Sequence, residues 1–238
     1  RVYKRGCPNE LAARLLFVTD ELILRMIFAF SEEFDHFDWA SAPDEVMALE
    51  NLLLAHSHGW HLVALSSPTA ENLLQQNCLS SNGTAIVKYL ILEKRAVLQG
   101  QALSAPLVGY CTVRAEDDDD LDDRYLPVQL SLLSDVEHCF KTMLLVEDAQ
   151  RDGEFYKNLA IIYSRMEMSA VPIKLELMNG GGANIGGELR RLEKQSNRPI
   201  LTIVDSDKRS PSSANGDTAR TAMQRKSDAR PLSRLEIL

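Results

Sequence analysis

Met143-Leu144-Leu145-Val146-Glu147-Asp148 and, further along, Pro199-Ile200-Leu201-Thr202-Ile203-Val204-Asp205-Ser206-Asp207 are the stretches whose reading decides the fold. Each is a short apolar run that ends abruptly in carboxylates. A strand covered on both faces of a parallel sheet reads this way where it surfaces at the sheet edge. Between them, Asp152 is placed to cap a helix carrying Phe155, Leu159, Ile162 and Met166 on one stripe. Pro172 then introduces a second strand, 173–177, whose apolar residues alternate with Lys174 and Glu176. Gly180, Gly181, Gly182, Gly186 and Gly187 follow, and a helix over 188–195 turns Leu189 and Leu192 inward. The order β-α-β-α-β with helical crossovers predicts a parallel sheet.

Parallel strands direct their C-terminal ends to one edge, where open α/β sheets bind ligands. If the first and third strands are neighbours, Glu147, Asp205 and Asp207 meet there. Gathered carboxylates are costly unless protonated or bound to a cation. Mg²⁺ takes one or two carboxylates together with water and substrate phosphate, the arrangement of phosphoryl chemistry. Lys208 and Arg209 come next in the chain, placed either to steady a phosphate or to be solvated.

At these residues the chain resembles the TOPRIM fold, in the single-TOPRIM nucleases of phage-defence systems of the overcoming-lysogenization-defect type. The motifs are Leu144-Leu145-Val146-Glu147, Asp152-x-x-Phe155-Tyr156, the Gly180-Gly181 turn and Ile203-Val204-Asp205-Ser206-Asp207, within about residues 141–210. The resemblance implies that Glu147, Asp205 and Asp207 bind Mg²⁺ or Mn²⁺ and support cleavage of DNA or RNA; Lys208, next in the chain, is read as the candidate that steadies the phosphate. Two features depart from the family. Asp148 stands where it usually has Gly, and the gap from Glu147 to Asp152 is one residue longer. The family's domain also continues into another strand, and 230–238 is read as the start of that strand, cut short.

The whole chain has 238 residues, 45% hydrophobic and 25% charged, which suffices for a real core in one large or two ordinary domains. That excludes a disordered, collagenous or disulfide-stapled protein. The most apolar stretch, 22–30, is interrupted by Arg25, too short for a membrane span, and Asp20 and Glu21 break any secretory signal. The chain opens on Arg1 rather than Met, which is read as a fragment or a trimmed start. Cys7, Cys78, Cys111 and Cys139 are scattered without paired spacing, so reduced thiols in a cytoplasm are expected. Asn82-Gly83-Thr84 is read as a turn. The net charge of −8 argues against a generally basic nucleic-acid glove, although residues 208–238 hold seven Lys/Arg against three Asp/Glu. Seven acids within 116–123 predict a solvated loop. Nucleic-acid affinity is therefore expected to be salt-dependent, with help from a protein partner or second subunit.

Residues 1–140 are read as a mixed α/β domain of unknown role. Leu11, Leu15, Leu22, Met26 and Phe30 recur at helical intervals after Asn9, and a second helix starts at Asp44. A strand is expected over 60–65, a helix over 84–98, an extended run over 107–114, and a Ser134/Glu137 capping box opening a short helix. Leu16-Phe17-Val18-Thr19-Asp20-Glu21 and Trp39-Ala40-Ser41-Ala42-Pro43-Asp44-Glu45 also resemble a two-component receiver. That implies an acidic pair holding Mg²⁺ and an Asp ending the third strand. The run 61–65 ends instead at Ser66, so such a receiver is degenerate. His56, His58 and His61 have metal-like spacing but straddle Gly59, and are read as structural.

The expected fold is α/β, with a TOPRIM-like parallel-sheet domain over 141–238 after the mixed domain over 1–140. The expected function is a metal-dependent nuclease, with a receiver-type signalling or interaction module as the alternative. A phosphatase using Asp205 as nucleophile is disfavoured because only 31 residues follow Asp207.

Overall fold

The computed structural model describes residues 27–94, 108–114, 125–166, 174–206, 213–225 and 232–237. The fold is mixed α/β, built on two four-stranded, wholly parallel sheets. The first contains β1 (Ile27–Phe30), β2 (Leu62–Ala64), β3 (Val108–Thr112) and β4 (Tyr125–Gln129), in the spatial order β2-β1-β3-β4. The second contains β5 (Met143–Val146), β6 (Glu176–Asn179), β7 (Ile200–Val204) and β8 (Ser233–Ile237), in the order β6-β5-β7-β8. Both sheets thus repeat one pattern, first strand beside second on one side and beside third on the other. Among the described residues the α-helices are α1 (Pro43–Ser57), α2 (Ser67–Gln76), α3 (Ser81–Tyr89), α4 (Glu154–Met166), α5 (Ile185–Gln195) and α6 (Asp217–Arg225). None is long and apolar enough to cross a membrane.

The core of the first sheet is large and aromatic. Phe28, Phe34 and Trp39 are essentially inaccessible, and Phe34 stacks on Trp39 at 5.3 Å between ring centroids. The second sheet is covered on both faces. Leu144, Val146 and Ile203 pack with Tyr156 and Ala160 of α4, while Met143, Leu145, Ile200 and Val204 pack with α5 and α6. Successive strand residues point to opposite faces, so runs covered on both sides are apolar at nearly every position; Thr202 in β7 is the buried exception.

Several local expectations are corrected. Ile27–Phe30 is a strand, not the end of a helix; its apolar residues continue a helical period, but a four-residue run buried between β2 and β3 satisfies both patterns. The rest of that predicted helix, including Asp20 and Glu21, lies outside the described residues, as do Cys7 and the acidic run 116–123. Leu62–Ala64 is the strand next to β1 rather than the third strand; β3 holds that place and leads into Val113-Arg114. Asn82-Gly83-Thr84 lies in the first turn of α3, not in a free turn, with Ser80 accepting from the Gly83 N–H. Asp135, not Ser134, caps the short 3-10 turn Val136–Cys139 by accepting from the Glu137 N–H.

On α4 the buried stripe is Tyr156 and Ala160. Of the expected stripe, Leu159 packs against this core, while Phe155 and Ile162 are exposed. Gly153 and Ala160 let the helix seat against Val146 and Leu177, which sets that phase. The polar tail, with no pattern legible in its sequence, supplies α6 and β8; β8 completes the sheet beside β7, where a further strand was expected.

The histidines serve the fold. His56 accepts from the Val63 N–H at 3.2 Å, His58 stacks on Trp60, and His61 donates from Nε2 to the Phe140 carbonyl at 2.8 Å. Burial pushes His61 down to about 4, against the opposing pull of the Phe140 carbonyl. The native state therefore holds the neutral imidazole while the unfolded chain protonates near 6.5. His61 contributes its full stabilisation above about pH 6.5 and loses it as pH falls toward 4. Between pH 7 and 4.5 this amounts to about 2.5 kcal/mol. Urea unfolding of the parent and of His61→Asn at both pH values should show the parent losing more stability on acidification by roughly that amount; equal losses would contradict it.

Candidate active site

The sheet reverses its order between β5 and β7, the place where doubly wound sheets form a crevice at their carboxyl ends. The two strands are in direct parallel register, Met143 with Ile200 and Leu145 with Thr202. Glu147 follows β5 and Asp205 follows β7, so both carboxylate-bearing residues emerge side by side at this edge, on strands about 4.8 Å apart. Asp207 and Lys208 lie outside the described residues.

Local backbone bonding builds the surroundings. The Asp148 carboxylate accepts from the N–H groups of Gln150 (2.9 Å) and Arg151 (3.2 Å), and the Asp148 N–H donates to the Asp152 carboxylate at 3.2 Å. Asp148, rather than Asp152, is thus the cap of the turn leading into α4. Its backbone is extended, at φ −128° and ψ 106°, a conformation that needs no glycine. The absence of the family's usual Gly at this position therefore carries no strain.

The glycine turn is clasped onto the same edge. The Gly180 N–H donates to the Val146 carbonyl at 2.7 Å and the Gly182 N–H to the Glu147 carbonyl at 3.2 Å. Gly181 and Gly182 occupy the left-handed region at φ +67° and +60°, which turns β6 into α5 within this clasp. On the other side, the Gly216 N–H donates to the Ser206 carbonyl at 2.7 Å, so the chain returns to the crevice just before α6. Glu147 is half-buried and Asp205 exposed.

Tyr156 belongs to the motif Asp152-x-x-Phe155-Tyr156 but was given no role of its own in the sequence reading. It is 9% exposed, and its ring lies in the cluster that contains Val146 and Ile203. Burial pushes its phenol up to about 12, reinforced by the charges of Asp205, Asp152 and Glu147 in that order. The available signal was its position four residues after Asp152, which places it on the same helical face as that acid.

The donors are all hard oxygens, which suits a divalent cation held by one or two carboxylates with water and phosphate completing its shell. Among the described residues no group of three His, Cys, Asp or Glu side chains is arranged to hold a metal ion. The residues present fit such an ion through Glu147 and Asp205, with Asp207 as the third ligand that the resemblance implies.

Among the described residues the first sheet has no equivalent acidic pair ending its two strands at the reversal point. There the Glu33 carboxylate accepts from the Ser31 hydroxyl and the Val113 N–H, both at 3.2 Å, and thereby ties β1's exit to β3's. The chain was compared with protein-family models, curated proteins and solved structures, and none of them matches it.

Proposed function

We propose that the C-terminal half hydrolyses nucleic-acid phosphodiesters with Mg²⁺ or Mn²⁺ held by Glu147, Asp205 and Asp207, as in the TOPRIM nucleases it resembles. The observation that carries this reading is the emergence of Glu147 and Asp205 from neighbouring central strands at the reversal of sheet order. A cation bound there supplies charge neutralisation on the phosphate and activation of a water. The chain's own part is to fix the two carboxylates on rigid strand ends. The clasp on the Val146 and Glu147 carbonyls holds the first of them, and Lys208 stands next to the Asp-x-Asp to meet phosphate charge. With a net charge of −8, binding of DNA or RNA depends on salt and on a cationic surface from a protein partner or second copy. A role as a phage-defence effector follows from the resemblance alone.

The test is cleavage of plasmid DNA and of tRNA with Mg²⁺, with EDTA, and by the Glu147→Gln variant. Cleavage that requires the ion and falls by about 10²–10³-fold in the variant is the expected result. Cleavage that persists in EDTA, or none in any condition, overturns the reading.

One observation favours a second reading, a receiver-type signalling module. Both sheets have the strand order that receivers share with other flavodoxin-like folds. A receiver requires an acidic pair after its first strand, whereas the Asp148 carboxylate is engaged with two backbone amides. That engagement weighs toward the nuclease. Beryllofluoride perturbing NMR signals around Asp205, without any cleavage, would reverse the choice.

A further inference from the structure

The two helices over one face of the second sheet turn a cationic surface outward. On α5 the buried positions are Ile185, Gly186, Leu189, Leu192 and Glu193, which leaves Gly187, Arg190, Arg191 and Lys194 exposed along one helical stripe. On α6, Ala219 and Ala222 face the core, while Arg220 and Arg225 are exposed. The approach of Gly186 to the Thr221 carbonyl sets the two helices side by side. The acids on the outer side are Glu188 and Asp217, each paired with an arginine of its own helix, Arg191 and Arg220. Glu193 is buried and accepts from the Ser233 hydroxyl at 2.7 Å. Five cations thus stand against two acids on this face. Arg190 and Lys194 are four residues apart, a like-charged spacing that costs the helix stability. Among the described residues neither has an acid at ion-pair distance. On the opposite face, α4 pairs its Lys157 with Glu154 and has no such excess among its described side chains.

We propose that the outer face of α5 and α6 holds the phosphate backbone of the nucleic acid, with Arg190 and Lys194 as its main contacts. Both helices start at the carboxyl edge of the sheet. α5 follows the glycine turn that donates to the Glu147 carbonyl, and α6 follows Gly216, which donates to the Ser206 carbonyl. Arg190 stands about 8 Å along the axis from the start of α5 and Lys194 about 14 Å, so the stripe leads a bound strand toward the edge that bears Glu147 and Asp205. Neutralising two like charges at this spacing favours a ligand with regularly repeated anions, and the phosphates of a strand supply them. The chain's net charge of −8 therefore hides a face of the opposite sign. The inference rests on the nuclease reading for the identity of the polyanion, and it places on this chain a surface that a partner or second copy only extends.

The experiment is fluorescence anisotropy of a short labelled DNA duplex and of a labelled single-stranded RNA, in EDTA, with the full chain. The proteins are the parent, the double variant Arg190→Gln/Lys194→Gln, and Lys157→Gln as the control on α4. Glutamine keeps helix propensity and all three side chains lie outside the core, so the unfolding temperatures should agree. The expected result is that the double variant binds about tenfold more weakly and loses about 2 from the slope of log affinity against log salt on the duplex, while Lys157→Gln matches the parent. Equal binding by the double variant and the parent, or no binding by the parent at about 50 mM salt, overturns the proposal. So does displacement of the nucleic acid by polyglutamate as readily as by unlabelled DNA, which assigns the face to an acidic protein instead. Binding as expected in a chain that never cleaves removes the nuclease and keeps the face. Cleavage together with unchanged binding in the double variant removes the face and keeps the nuclease.

Discussion

Replacing Asp205 with alanine should reduce Mg²⁺-dependent cleavage by about 10²–10³-fold or more while leaving the thermal unfolding temperature within a degree or two of the parent's. The two halves of that expectation have separate causes. Asp205 is exposed and lies just beyond β7, so its side chain fills no part of the core. Glu147 emerges from the neighbouring strand at the same edge, and removing one charge from such a pair relieves repulsion. Chemistry on phosphate, in contrast, loses a ligand that no adjacent side chain on β7 can replace, since Val204 and Ser206 flank the position. Circular-dichroism melts and gel-based cleavage on one preparation check both halves. Undiminished Mg²⁺-dependent cleavage in the variant would remove Asp205 from the site.

Gly186→Val should cost about 3 kcal/mol, lowering the unfolding temperature by roughly 10 °C, and should weaken cleavage as well. A β-carbon on Gly186 would lie 2.8 Å from the Thr221 carbonyl oxygen and 3.1 Å from the Ala222 nitrogen, so α5 and α6 touch backbone to backbone. Buried Ala219 and Ala222 on α6 permit that approach, and backbone atoms have no rotamer by which to yield. Displacing α6 also pulls on Gly216, whose N–H holds the Ser206 carbonyl beside Asp205. Gly187→Ala is the control. There a β-carbon meets only the flexible Asn184 side chain, at 2.7 Å, and stability should stay within about 0.5 kcal/mol or rise, as helix propensity favours alanine. Equal melting of Gly186→Val and the parent would refute the close packing of the two helices.

The second sheet was largely legible in the sequence because its central strands, β5 and β7, are apolar but for the buried Thr202 and end in acids. Ile27–Phe30 has the first and lacks the second, and a four-residue run cannot separate a strand from a helix end by periodicity. The phase of α4 was misread because Phe155 and Ile162 are apolar yet face outward, while the face against the sheet uses Gly153, Tyr156 and Ala160, which hydrophobicity alone ranks lower. α6 and β8 were hidden by a polar composition; α6 buries only alanines, and β8 is an edge strand with mostly half-buried residues. Asp148 competed with Asp152 for the cap, and only the turn between them, with both amides of Gln150 and Arg151 aimed at one carboxylate, decides between the two.

Leu232 immediately precedes β8 in the second sheet, yet its side chain belongs to the apolar core of the first. Leu232 thus ties the entry of β8 to the core under the other sheet, so that loss of one core pulls on a strand of the other. Heat should melt the two sheets in one calorimetric peak rather than two, and exchanging Leu232 for serine should pull that peak apart.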